Sequence, residues 1–274
     1  MPASQLNLGG RAFFRVPLIQ ALMFLTKATN LVLDSLLALL YPQSCAVCQG
    51  EVDSRHLGTV CAECWRAAKL FSAAEILCWK CGAPSLGKVA PESREAVMCR
   101  SCDNDSFTVA RACGAYDGAL KAVVLALKRE PNVCRQLVEL LIDTQQRHPL
   151  NQATLIIPVP LHPDREKARG FNQATVVGKR LAKGTGLRYE DRSLFRTTHS
   201  ERHRAGMDAT ARRASVANSF AVRAPRVVAG EKIVLVDDVF TTGATASACA
   251  EALLEAGAAA VFVLTIARPV RYHS

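Results

Sequence analysis

Two groups of residues in this chain have the types and spacing to do chemistry. The first is Ile233–Thr245, which reads Ile-Val-Leu-Val-Asp-Asp-Val-Phe-Thr-Thr-Gly-Ala-Thr. An apolar run delivers Asp237 and Asp238 at its carboxyl end, and a Thr/Gly turn then opens an Ala-rich stretch. The first backbone amides of a helix lack intrahelical partners and its dipole favours negative charge, so such a turn is a cradle for a phosphate. Thr241, Thr242 and Thr245 add hydroxyls, Gly243 lets the chain approach the anion, and Val239, Phe240 and Ala244 complete the loop. Two carboxylates beside a phosphate need a reason, which sugar hydroxyls or a shared divalent cation would supply. For Asp-Asp alone a solvated surface turn is the plainer reading; the Thr-Thr-Gly-x-Thr continuation argues against it.

The second group is cysteine. Eight of the eleven cysteines form four Cys-x-x-Cys pairs: Cys45/Cys48, Cys61/Cys64, Cys78/Cys81 and Cys99/Cys102, separated by 12, 13 and 17 residues. Each turn aims two thiolates at one ion, and two turns complete a closed tetrahedral site. Eight ligands therefore suffice for two structural ions. The simplest pairing is sequential, with Cys45, Cys48, Cys61 and Cys64 on one ion and Cys78, Cys81, Cys99 and Cys102 on the other. Zinc suits these sites, and iron in the same geometry is its rival. A closed site has no open position for a substrate, so the metal serves folding. Redox use of the pairs would need metal-free thiols. Cys113, Cys134 and Cys249 stand singly in apolar surroundings. Paired thiols at this spacing fit a reducing cytosol better than an extracellular disulfide frame, so a cytoplasmic location is expected.

The elements that must position these groups follow from composition and periodicity. Hydrophobic residues make up 50% of the 274-residue chain and charged ones 21%, which allows a sizeable core and excludes wholesale disorder. Aromatics at 6% argue against a base-stacking platform. The net charge of +10 is uneven: residues 1–105 carry +1 and residues 106–274 carry +9. The basic half should attract phosphates, on a small molecule or a nucleic acid. Residues 1–17 have no period and read as a flexible leader; residues 18–41 read as an amphipathic helix ended by Pro42. Val16–Thr26 follows Arg11 and Arg15 as a signal-peptide core would, but Lys27 interrupts it and no small-residue cleavage site follows. No uncharged apolar stretch reaches ~18 residues, so no membrane span is expected.

Residues 42–105 are short on apolar runs and too few to hold a core without a staple, so they form a small double ribbon around the metals. Beyond them strand and helix signals alternate, through residue 274. Thr154–Val159, Lys232–Val236 and Ala260–Ile266 read as strands. Asn172–Lys183 reads as a helix closed by Gly184 and Gly186, and Ala244–Ala256 as one ended by Gly257. This alternation predicts an α/β domain over 106–274, a mostly parallel sheet flanked by helices.

Ile233–Thr245 also resembles the phosphoribosyl-diphosphate (PRPP) signature of type I phosphoribosyltransferases at every defining position. The resemblance implies a type I phosphoribosyltransferase-like sheet. In it Thr241–Thr245 takes the 5′-phosphate, Asp237 and Asp238 meet the ribose hydroxyls, and Mg²⁺ binds with PRPP. Ile157–His162 looks like that family's pyrophosphate loop, which brings Pro160, Leu161 and His162 to the ligand. Val159-Pro160-Leu161-His162-Pro163-Asp164-Arg165, running into Arg169-Gly170-Phe171-Asn172-Gln173-Ala174, is similar to the ComF family. That family joins an amino-terminal double zinc ribbon to a phosphoribosyltransferase-like domain. Tyr116-Asp117-Gly118 with Lys128 resembles its opening segment, and the likeness covers roughly residues 36–268. One region departs: where members usually carry a Gln and an Arg-Asn-Val before a Phe, this chain has Arg204 and Ala214-Ser215-Val216 ahead of Phe220. The corresponding segment is the enzymes' mobile lid, and Arg192–Arg226 holds eight arginines against Glu201 and Asp208. Such a lid suits a pyrophosphate leaving group or, equally, a nucleic-acid backbone.

Two function classes follow. In one, a nucleophile on an unknown acceptor displaces pyrophosphate from C1 of PRPP, with Mg²⁺, Arg165, Arg169 and lid arginines stabilising the growing charge. No general base stands out. His162 and His203 read more readily as structural, and Asn172 and Gln173 either cap a helix or reach a ligand. In the other class, implied by the ComF name, the chain is a non-catalytic DNA-uptake protein of competent bacteria. It would then contact single-stranded DNA or a helicase-like partner through the ribbons and the basic lid. Substituting Cys61 or Cys81 is expected to release metal and unfold the ribbon while sparing the second domain.

Overall fold

The computed structural model describes residues 43–72, 74–85, 89–197 and 219–270. The expected leader and the helix over 18–41 fall outside them, as does most of the arginine-rich segment.

A five-stranded, wholly parallel sheet organises the larger part of the chain. Its strands are β1 (Val109–Ala115), β2 (Leu155–Pro158), β3 (Arg188–Tyr189), β6 (Lys232–Val239) and β7 (Ala260–Arg268), in the order β1-β7-β6-β2-β3. Ile233, Val234, Leu235 and Val236 of the central β6 are completely buried. A strand covered on both faces can be continuously apolar, and successive side chains still alternate between the faces. Val234 and Val236 join one core with Leu120, Val124, Leu137, Leu141 and Leu181. Ile233 and Leu235 join the other with Cys249, Ala250 and Leu253.

Helices α2 (Gly118–Leu127), α3 (Arg135–Gln145) and α5 (Gln173–Thr185) cover the first face; α7 (Ala244–Glu255) covers the second. The short α4 (Pro163–Arg169) links β2 to α5, and α6 (Pro225–Val228) precedes β6. Strands β4 (Leu194–Arg196) and β5 (Phe220–Val222) pair antiparallel and bracket the arginine-rich segment.

The strands and helices expected beyond residue 105 all form, with shifted ends. β6 runs beyond the expected Val236 because Asp237 and Val239 still pair with Thr265 and Ala267 of β7. Backbone pairing continues where hydrophobic patterning stops, so both aspartates leave from a rigid strand. α5 passes through Gly184, which packs under Ile142, and ends at Gly186.

The cysteine-rich part, with its single helical turn α1 (Ala62–Arg66), lies along the free edge of β1. The Phe71 amide donates to the Cys113 carbonyl at 2.9 Å, the Ala115 amide to Lys69 at 2.9 Å and the Ala110 amide to Lys80 at 2.7 Å. Covering this edge removes an exposed row of peptide groups. Gly114 permits the approach: a Cβ there would meet the Lys69 carbonyl and lie 2.8 Å from Leu120.

Candidate functional site

The carboxyl ends of β6 and β2 carry the groups expected to do chemistry, where parallel sheets leave room for a ligand. The Asp238 amide donates to Asp237 Oδ1 at 2.8 Å, which fixes the first carboxylate beside its own strand. Burial, and then the Asp238 charge, push the Asp237 carboxyl well above its ordinary range. Asp238 is buried, and its Oδ2 lies 3.3 Å from Lys128 Nζ. The same oxygen accepts from Gln173 Nε2 at 3.3 Å, while Gln173 Oε1 accepts from Arg169. Arg169, Gln173, Asp238 and Lys128 thus form one polar chain across the ends of α4, α5, β6 and α2. A buried carboxylate is tolerable only with such partners.

Past β6, Gly243 adopts φ +78° and turns the chain into α7. A side chain there would be strained, and its Cβ would lie 2.8 Å from the Phe240 ring. The Thr242 hydroxyl accepts from the Ala244 amide at 3.4 Å, and the Ser247 amide closes the first turn on Gly243. Thr241 is exposed and Thr242 and Thr245 are half-buried, so all three are accessible to an anion at the helix start. Phe240 faces inward. It is buried, its amide donates to Ala267 at 2.9 Å, and its ring meets Phe107 edge-on at 5.7 Å. Val239 packs against the first core, so these two residues offer a ligand backbone rather than side chain.

The loop after β2 is more divided. Pro160 and Leu161 are half-buried beside the strand end. His162 is buried and caps α4, its Nδ1 accepting from the Asp164 amide at 3.3 Å, which is a structural task. Asn172 caps α5 through the Ala174 amide and donates to the Val159 carbonyl at 2.9 Å, tying the helix to this loop. Gln173, left between capping and ligand in the sequence, leaves the cap to Asn172 and hydrogen-bonds Asp238. Arg169 joins the polar chain, whereas Arg165 is exposed on α4 and pairs with no described residue. Arg202, Arg204, Arg212 and Arg213 lie outside the described residues, with His203. Lys128 entered the sequence reading only through the ComF resemblance; nothing in its local pattern points to Asp238.

The cysteines assemble in the sequential pairing, as two sets of four whose sulfurs lie within 4.8 Å of one another. The separations between sulfurs include 3.7 Å for Cys48–Cys61, 3.6 Å for Cys78–Cys102 and 3.5 Å for Cys81–Cys99. A tetrahedron of sulfurs at zinc's bond length of about 2.3 Å has edges of about 3.8 Å, so both sets fit the ion. Backbone amides also prepare the thiolates. Desolvation raises the Cys45 thiol, but the amides of Cys48, Cys61 and Val47 carry it down to about 6. A hydrogen bond from Cys81, with amides that include Cys99, takes Cys78 to about 4. Cys113, Cys134 and Cys249 are buried apart from these sets, and burial pushes their thiols up. Among the described residues no helix is long and apolar enough to cross a membrane.

Residues 36–103 match the double zinc ribbon domain family. A DNA utilization protein of Escherichia coli K12, YhgH, is 29% identical over 83% of this chain and 97% of its own length. Competence protein F of Haemophilus influenzae is 27% identical over 82% and 96%, and competence protein ComFC of Bacillus subtilis 26% identical over 72% and 85%. Among solved structures, a Bacillus subtilis glutamine PRPP amidotransferase is similar over 61% of this chain and 30% of its own, with 22% identity and a TM-score of 0.33. A Leishmania donovani hypoxanthine-guanine phosphoribosyltransferase is similar over 56% and 81%, with 12% identity and a TM-score of 0.29. The ribbon match and the curated relatives bear out the resemblance to the ComF family: residues 36–103 are similar to a double zinc ribbon domain, and most of the chain is similar to DNA utilization and competence proteins.

Proposed function

We propose that the loop after β6 binds PRPP together with a divalent cation such as Mg²⁺. One observation carries the reading: a buried, partnered Asp238 beside Asp237 at the end of a central parallel strand, followed by a left-handed Gly243 at the start of a twelve-residue helix. The amides at the start of α7 and the hydroxyls of Thr241, Thr242 and Thr245 would take the 5′-phosphate. Asp237 and Asp238 would accept from the ribose hydroxyls, and the loop from Pro160 to His162 would flank the pyrophosphate. The cation, when bound, neutralises charge on the pyrophosphate. In a transfer reaction the acceptor's lone pair forms a bond to C1 as the bond from C1 to the pyrophosphate oxygen breaks. Arg169, next to the strand ends, is placed to stabilise the charge that leaves. Thiols held as metal ligands suit a reducing compartment, and a cytoplasmic location goes with this reading.

Calorimetric titration with PRPP and Mg²⁺ tests it. Wild type should bind in the micromolar range, and Asp238→Asn should weaken binding at least tenfold, about 1.4 kcal/mol or more. Absence of binding in wild type would end the reading.

One observation favours a second role beside the first. Lys179, Arg180 and Lys183 of α5 line an open groove of about 490 Å³ with Phe171 and Asn172. With three cations against the single carboxylate of Glu166, such a groove attracts a nucleic-acid backbone. Binding of single-stranded DNA should then weaken steeply with salt, and neutralising Arg180 and Lys183 should lower the slope by about one to two ions. A slope unchanged by the double substitution would remove the groove from consideration.

A further inference from the structure

The two metal sites are not equivalent in what they support. Cys45 and Cys61 belong to the core built with Leu120, Val124 and Leu137 under α2 and α3. Cys78, Cys81 and Cys102 belong to the other core, with Phe107, Phe240, Ala246 and Cys249, directly behind the anion loop and α7.

Three residues just past the last ligand touch that loop. Asp105 is buried, and its Oδ2 lies 3.2 Å from where a Cβ on Gly243 would stand. The Ser106 amide donates to Ser247 Oγ at 2.9 Å. Phe107 supplies the edge-on ring beneath Phe240. Arg268, at the end of β7, places its guanidinium 5.1 Å from the centre of the Phe240 ring. One of its nitrogens donates to the carbonyl of the ligand Cys81, and its buried Nε finds no acceptor among the described residues. Phe240, the root of the loop, is therefore clamped between groups tied to the ligand segments Cys78–Cys81 and Cys99–Cys102.

The charges agree with the contacts. Four thiolates around a divalent ion carry −2 in total. Two guanidinium groups lie beside that charge: Arg111 donates to the Trp79 carbonyl, between the ligands Cys78 and Cys81, at 2.7 Å, and Arg268 to the carbonyl of Cys81.

We propose that the metal held by Cys78, Cys81, Cys99 and Cys102 sets the shape of the anion loop 240–247, with Arg268, Phe107 and Asp105 as the positioning residues that transmit it. Among the described residues the set Cys45, Cys48, Cys61 and Cys64 has no such contact with the loop. The consequence for ligand affinity rests on the PRPP reading; the mechanical coupling does not.

The test uses the full chain and measures metal content, amide hydrogen exchange over 237–250 and PRPP·Mg²⁺ affinity on each variant. Cys99→Ser should lose one metal and speed exchange of the loop amides about tenfold, while Cys48→Ser loses the other metal and leaves them within about twofold of wild type. Arg268→Gln and Phe107→Leu keep both metals and should still loosen the loop and weaken PRPP·Mg²⁺ about fivefold or more. If Cys99→Ser does not fold, these two decide the matter. Unchanged loop exchange in both, or equal loosening by Cys48→Ser, overturns the proposal. A loop that loosens as expected in a wild-type background that never binds PRPP would uphold the coupling and remove the ligand.

Discussion

At the scale of single residues, Asp237 of the aspartate pair responds to pH. Asp237 holds its proton more tightly in the folded chain than its ordinary value of 3.8 allows, because burial and Asp238 both oppose its charge. Between 3.8 and that raised value the folded state binds more protons than the unfolded one, so stability falls as pH rises through the window. Below 3.8 the contribution is fully present. Asp237→Asn should flatten this slope and raise stability at about pH 8, read from urea unfolding across the range. An unaltered slope would show that Asp237 is ionised in the folded protein. A ligand that brings a cation to the pair should release this proton, and the heat of binding should then depend on the buffer in wild type but not in Asp237→Asn.

At the scale of elements, the junction of β6 with α7 does the positioning. The strand holds the carboxylates rigidly, and the left-handed turn at Gly243 starts the helix directly behind them. Gly243→Ala forces a Cβ against Phe240 and Asp105 in a backbone conformation that side chains rarely adopt. It should cost about 1–3 kcal/mol in thermal stability. Any PRPP·Mg²⁺ affinity should fall with it, and a variant as stable as wild type would mean the turn relaxes at no cost.

At the scale of the whole molecule, ribbon and sheet share their cores. Val60, Cys61 and Trp65 pack with Leu120, Val124 and Leu137, and residues 69–71 hydrogen-bond along β1. The sequence led to the expectation that losing Cys61 or Cys81 would spare the second domain. The shared core changes that expectation. Cys61→Ser should release one metal and lower the melting temperature of the whole chain in a single calorimetric transition. Two separated transitions, with the α/β part melting where it does in wild type, would restore the independent-domain picture.

What could be read from residues alone was whatever local chemistry dictates. Cys-x-x-Cys turns need no tertiary knowledge to be recognised as half-sites, since spacing of two fixes both thiols on one knuckle. Alternating apolar runs and helices likewise announce a parallel sheet, and Asp237–Thr245 carries its strand-to-helix logic in consecutive residues. Local pattern does not specify which distant groups close on that segment. Lys128 reaches Asp238 across 110 positions and Arg268 reaches Cys81 across 187, and both meetings depend on how strands stack in the order β1-β7-β6-β2-β3. β1, α2 and α3 went unread because their apolar residues gain meaning only against the sheet and ribbon they cover. The sequence thus determined the chemistry on offer, and only packing decided which residues act on one another.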